Sequence, residues 1–387
     1  MDPRTCQAIS LSSSVNDATT QPGHDLRVVV VDLRTDNRWE AFLASQPEAL
    51  IYHHPGWIRA LEKESGRACI TLACEDASGR LRGILPLMTT CGLPWDLGDS
   101  RTRRRLSSLP RTPVAGPLAT DPEAARALIG AALERVRVDP SLQLELKPNR
   151  ELEQTEGLVR APWRQTFVLE LPGDPAQLRF GTGRNHARIR WAVSKATRLG
   201  VQVRPAKDER DLRAWYQLYL ETMRSNAVAP RSYRFFEALW RELHPVGLLH
   251  LVLAEQTVAG AIHLLAGSII LSYRQTAWYA FNGSRRDAFS LRPNDIIQWY
   301  AIHHACRRGV RWYDLGDVAT DHPTLADFKR KWGGAQQRLY RYYFPAAARD
   351  GTETRTRRGL TLAARAIWQL LPLRLTEMLG DWIYGWL

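Results

Sequence analysis

The order helix, helix, hairpin occurs twice in this sequence at a nearly constant offset, and few folds satisfy that. In the first half, helical stretches at 39–43 and 57–63 precede "ACITLACEDASGRLRGILPLMTT", which reads as two strands joined at the Ser78-Gly79 turn. In the second half, a helical stretch at 215–220 and the helix "YRFFEALWREL" precede "LLHLVLAEQTVAGAIHLLAG", a hairpin turning near Gln256-Thr257. Trp39 aligns with Trp215, Ala60-Leu61 with Ala238-Leu239, and Gly83 with Gly260. One shared register across two helices and a hairpin argues for an internal duplication. The expected class is therefore α/β with mixed sheets (α+β in character), built as two tandem domains. The β-branched run "LRVVVVDL" opens the first of them as a buried strand.

Composition agrees with two full cores. The chain has 387 residues, 44% of them hydrophobic, with 14 tryptophans, which excludes disordered and fibrous classes. A formal charge of +13 favours acidic partners such as nucleic acid, phosphorylated substrates or anionic lipid. Five cysteines with no CxxC pair suggest neither a disulfide framework nor a zinc site, so no metal is expected and a reducing, cytoplasmic setting fits. Residues 1–25 read as a disordered polar leader without the apolar core of a signal peptide, and no apolar run reaches membrane-spanning length.

Past the second hairpin, "SIILSYRQTAWYAFN" alternates like a strand, and a polar loop leads into "LRPNDIIQWYAIHHACRRGVRWYDLGD". Ile296, Ile297, Tyr300, Ala301 and His304 fall on one helical stripe behind Pro293-Asn294, which places a helix N-terminus at the end of a strand. Free amides and the positive end of the dipole suit an anion there, with Arg285, Arg286 and Arg292 adding charge. Asn282, Arg292, Asn294 and Asp295 are the candidate residues for a bound cofactor. The eight residues "DFKRKWGG", 327–334, read as a short helix at 327–332 closed by Gly333-Gly334, with Lys331 and Arg330 solvated.

"AWYAFN…LRPNDIIQWYAIHHACRRGVRWYDLGD…LADFKRKWGG", together with the basic stretch "RNHARIRWAVSKATRLGVQV", resembles the second domain of the FemAB-type acyltransferases, a branch of the GNAT N-acyltransferase superfamily. The resemblance covers roughly 184–345. It implies tandem GNAT-like domains at 26–165 and 166–345, followed at 346–387 by a basic linker and an amphipathic helical tail. It implies transfer of an acyl group to an amine, from acyl-CoA or from aminoacyl-tRNA, with an envelope or exopolysaccharide precursor as acceptor. It further implies substrate contacts at Lys329, Arg184 and Trp278. A non-catalytic GNAT-like binding protein is the alternative from another class.

Attack of an amine on a thioester or ester needs placement and an oxyanion donor more than a covalent nucleophile, and no GxSxG elbow is present. Candidate general bases are Asp317, Tyr273 and His263, with Asp314 beside them. His263 lies in an apolar hairpin, where a histidine is more often a satisfied core residue than a base. In the tail, Ile367, Leu370, Leu371, Leu375, Met378, Leu379, Trp382, Ile383 and Trp386 recur at three- and four-residue steps in two helical pieces meeting at Pro372. Such a face suits peripheral attachment to an anionic membrane or packing on the chain's own domains or on a second subunit, with Glu377 and Asp381 opposing the first.

Overall fold

The computed structural model describes residues 26–92, 104–153, 157–319, 322–345 and 364–386. The expected polar leader and the linker residues 346–363 lie outside them. The chain forms two compact units. Unit 1 comprises 1–163, 340–353 and 382–387, and unit 2 comprises 164–339 and 354–381.

In unit 1, β1 (Arg27–Val30), β2 (Ile70–Glu75) and β3 (Leu81–Thr90) are antiparallel neighbours, and β4 (Arg105–Ser107) continues on β3. The short β5 (Leu118–Ala119) also pairs with β3. Helix α3 (Pro122–Val138) crosses over to β6 (Gln143–Leu146), which runs parallel to β4. Helices α1 (Arg38–Ser45) and α2 (Pro55–Ser65) precede the hairpin. Pro55 at the first turn, a His54 side-chain cap on Gly56 N and left-handed Gly66 set the bounds of α2. The apolar stripe of α3, including Leu128, Ala132 and Leu133, packs on Leu72, Leu85 and Leu144 of the sheet.

Unit 2 repeats the plan. Strand β8 (Val201–Pro205) flanks β9 (Leu249–Val258), β10 (Ala261–Tyr273) and β11 (Thr276–Ser284) in antiparallel order, and α7 (Pro293–Arg307) crosses over to β12 (Trp312–Val318), parallel to β11. Ahead of the hairpin stand α4 (Gly183–Arg198), α5 (Glu209–Ser225) and α6 (Tyr233–Leu243). Asp208 caps α5 through the amides of Arg210 and Asp211, and Leu212, Trp215, Tyr216, Tyr219 and Leu220 bury one face of that helix. Helix α8 (Pro323–Lys331) follows β12.

The last strand of unit 1 comes from a distant late segment of the chain, whereas that of unit 2 opens the unit's own stretch. Strand β6 is closed by Tyr342, Tyr343 and Phe344 of β13 (Ala335–Phe344), and β12 by the 165–170 portion of β7 (Val159–Glu170). Helix α9 (Leu373–Trp386) ends the described chain.

Three expectations are corrected. The second hairpin turns at Ala259-Gly260 rather than Gln256-Thr257, because both positions 259 and 260 take positive φ. The counterpart of Gly260 is then Gly79, also left-handed in a hairpin turn, whereas Gly83 lies inside β3 against Leu128 and Ala119. The FK helix begins at Pro323, four residues earlier than expected. Its glycine pair does more than terminate it: Gly333 has φ +87°, and a Cβ there would stand 2.4 Å from Gly181 N. The "GTG" and "WGG" segments are thus packed backbone to backbone.

Candidate functional site

Strands β11 and β12 pair at only three positions, Thr276 with Trp312, Ala277 with Tyr313 and Trp278 with Asp314, although β11 runs on to Ser284 and β12 to Val318. Beyond Trp278 and Asp314 the strands separate. Here β12 also shifts register against β7, between Asp314 and Asp317, at Gly316 with φ +86°. A Cβ on Gly316 would lie 3.1 Å from Lys329 Nζ and 3.2 Å from Tyr279 O, so the glycine makes room for the lysine head at the fork.

Lys329 is 5% exposed and donates to the Asp317 carbonyl at 3.2 Å. Burial lowers its ammonium to about 8, against the opposing pull of the Asp317 and Asp314 carboxylates. Asp314 accepts from Thr166 Oγ1 and, at 2.8 Å, from Gly316 N. Desolvation nevertheless holds its carboxyl above the usual range. The Asp317 carboxylate is engaged by Arg164 at 2.6 Å. Tyr279, at the mouth of the fork, is pushed up to about 12 by desolvation.

A cavity of about 460 Å³ lies at the end of β11, lined by Thr222, Asn226, Asn282, Ser284, Arg286, Phe289 and Asn294. Ser268 Oγ donates to Asn282 Oδ1 at 2.9 Å. Asn294 Oδ1 is enclosed and without a hydrogen-bond partner. Asn294 does not cap the helix: α7 starts at Pro293 with Arg292 at the N-cap, left-handed at φ +62° and without a side-chain capping bond. The first-turn amides are therefore not satisfied by a side-chain cap. Arg292 stands 5.6 Å from the Trp191 ring.

Asp317 and Lys329 meet at the fork, Asn282 and Asn294 line the cavity at the end of β11, and Trp278, buried, stands at the last shared pair. Asp295 is buried and ion-paired with Lys331, which is therefore not the solvated lysine expected. Tyr273 pairs with Thr276 at the hairpin, the end of β11 away from the cavity. His263 is exposed opposite Gln256, so it is not a core histidine and does not line the cavity. Arg184 is exposed on the first turn of α4.

Sequence reasoning missed Arg164, Thr166, Thr222 and Asn226. The pair Thr222 and Asn226, four apart at the end of an apolar helix, was the available signal. Arg164 and Thr166 carried none, since only strand pairing brings them to β12. Among the described residues no group of three His, Cys, Asp or Glu is placed to hold a metal ion.

The same fork in unit 1 is stitched shut. Strands β4 and β6 also share three pairs, ending at Ser107 with Glu145. Immediately beyond, Lys147 N donates to Ser108 Oγ at 2.8 Å and Lys147 Nζ to Leu109 O at 2.7 Å. Lys147, fully buried, is lowered to about 7 by desolvation, and Glu145 is held below the carboxylate range by Lys147 and Arg341 despite its burial.

Residues 183–330 match the model of the acetyltransferase (GNAT) domain. No curated protein matches the sequence. Among solved structures, FemX is similar over 88% of this chain and all of its own, at 16% identity and a TM-score of 0.64. L-PGS from Bacillus licheniformis is similar over 90% of this chain and 99% of its own, at 13% identity and a TM-score of 0.53. The C-terminal domain of a putative lysylphosphatidylglycerol synthetase from Agrobacterium fabrum is similar over 86% and 95%, at 11% and 0.51. At these identities the likeness establishes the fold.

Proposed function

We propose that this chain, whose residues 183–330 match the acetyltransferase (GNAT) domain and whose fold is similar to that of FemX, is an N-acyltransferase. It moves an acyl group, from acyl-CoA in the first reading, onto an amine of a cell-envelope or exopolysaccharide precursor. The observation that carries this is the fork between β11 and β12, with Lys329 at its apex and a polar cavity leading to the α7 N-terminus. Chemistry belongs to unit 2, because Lys147 bridges the corresponding gap in unit 1. The envelope acceptor is supported by the likeness to FemX and to a lysylphosphatidylglycerol synthetase domain.

In this reading the donor carbonyl lies in the fork between the separated strands. The amine nitrogen attacks the carbonyl carbon, the carbonyl oxygen gains negative charge, and the carbon–sulfur bond breaks as the thiolate leaves and takes up the amine proton. The Lys329 ammonium faces the developing oxyanion, where a preorganised donor is worth about 10²–10³ in rate. Asp317 positions that ammonium through its backbone carbonyl, its carboxylate being paired with Arg164. Asn282, Asn294 and the first turn of α7 hold the donor's anionic portion.

A second donor, aminoacyl-tRNA, is favoured by one observation. Arg184, Arg188, Trp191, Lys195 and Arg198 recur on α4 at steps of three and four, Trp191 and the arginines are exposed, and the helix holds no acidic residue. Such a stripe fits a polyanionic backbone with a stacking platform. Binding decides between donors. Stabilisation by acyl-CoA with no salt-sensitive binding of charged tRNA supports the first, and the reverse supports the second. If neither binds, the catalytic reading is lost to a binding role; if the Lys329→Met variant keeps full transfer activity, Lys329 is not the oxyanion donor.

A further inference from the structure

The structure packs the tail through Thr376, Glu377 and Gly380. Thr376 is fully buried, Gly380 packs on Pro230 so closely that a Cβ would meet its carbonyl oxygen at 2.7 Å, and Glu377 is turned inward to bond Tyr216. Outward stand Ile367, Leu370, Leu375, Met378 and Leu379, with Leu370 84% and Met378 65% exposed. Arg365 and Arg374 are exposed along the same strip.

This strip adjoins the rim of the cavity. The Ser225 carbonyl accepts from Gln369 Nε2 at 2.9 Å and from Arg286 Nη2 at 3.1 Å, and Arg286 lines the cavity with the exposed Phe289. Arg224 reaches the Leu371 carbonyl at 3.2 Å from the same side. The acids nearby are engaged elsewhere: Glu377 faces Tyr216, Asp381 lies at the edge of the helix beside that same ring, and Asp287 is neutralised by Arg285. What faces outward is an apolar strip bordered by Arg224, Arg286, Arg365 and Arg374.

We infer that this strip is the docking surface for an anionic lipid bilayer, seated at the headgroup level with the cavity rim against the membrane. Apolar side chains of this kind partition into the headgroup boundary, and each arginine is drawn to the negative surface potential. No described helix is long and apolar enough to cross a bilayer, so the attachment is lateral. The inference does not rest on the catalytic reading. If that reading holds, the acceptor reaches the cavity as a lipid-linked amine from the bilayer.

The test is sedimentation of the full chain with phosphatidylcholine vesicles made with and without phosphatidylglycerol. Binding is expected only with the anionic lipid and falls with added salt. Two double variants, Leu370→Glu with Met378→Glu and Arg365→Glu with Arg374→Glu, change exposed side chains, so their melting temperatures stay at the wild-type value. Each weakens partitioning by at least about tenfold. Wild-type partitioning in both variants overturns the inference. So does a concentration-dependent dimer that dissociates in the Leu370→Glu, Met378→Glu variant without any vesicle binding, which assigns the strip to a second copy. Transfer activity is not read at any point, so failure here leaves the proposed chemistry standing.

Discussion

Lys329 carries the sharpest residue-level consequences. As an ammonium aimed at an oxyanion it acts in its protonated form, so kcat/KM should fall as pH rises through about 8. Lys329→Met should lose about 10²-fold or more in rate and lose that pH limb with it. A variant whose rate still falls above pH 8 assigns the limb to another group. Stability moves the other way. The folded-state value is depressed from 10.5 to about 8, so the unfolded chain binds more protons between those values and wild-type stability rises with pH across that window. Lys329→Met is therefore expected to be more stable than wild type near pH 7, by on the order of 3 kcal/mol, with the gap closing towards pH 10. Thermal melts of both proteins across the pH series check this. The lysine itself was legible through the family resemblance of its segment. Its neighbours Arg164 and Thr166 were not, because a strand residue's partner across a sheet leaves no mark in local sequence.

At the scale of elements, helices were the readable part. Caps such as Asp208 and stripes such as that of α5 are local patterns, and local patterns survive in a single sequence. The errors arose where a tertiary contact outweighed the local signal. Helix α7 opens from a left-handed Arg292, which leaves the Asn294 side chain to face the cavity. The glycine pair after α8 looked like a terminator, yet Gly333 is needed for the approach of Gly181. Gly333→Ala adds a Cβ at a positive φ and against backbone that cannot move aside. It should cost about 2 kcal/mol or more, read as a lowered urea midpoint at unchanged slope. A change under about 0.5 kcal/mol would mean that the two loops separate easily.

For the molecule as a whole, the duplication was visible in sequence but the late return of the chain that closes unit 1 was not. Glu145 and its partner Arg341 are 196 positions apart, beyond any periodicity argument. A chain ended after Leu339 retains every residue of the unit 2 strands but deprives β6 of Tyr342, Tyr343 and Phe344, and Glu145 of Arg341. Unit 1 is expected to lose cooperative unfolding in that truncation, with rapid amide exchange along β6 as the direct readout. Slow exchange there would show that β13 is dispensable to it. The same arrangement sets a timetable for synthesis. Strand β12 emerges after its closing partner in β7 has already been made, whereas β6 leaves the ribosome some 196 residues before its partner exists. At about 5–20 residues per second that is a wait of roughly 10–40 s. For that interval the nascent chain carries an open, apolar strand edge, the kind of surface to which holding chaperones bind and from which premature pairing between neighbouring polysomal chains begins.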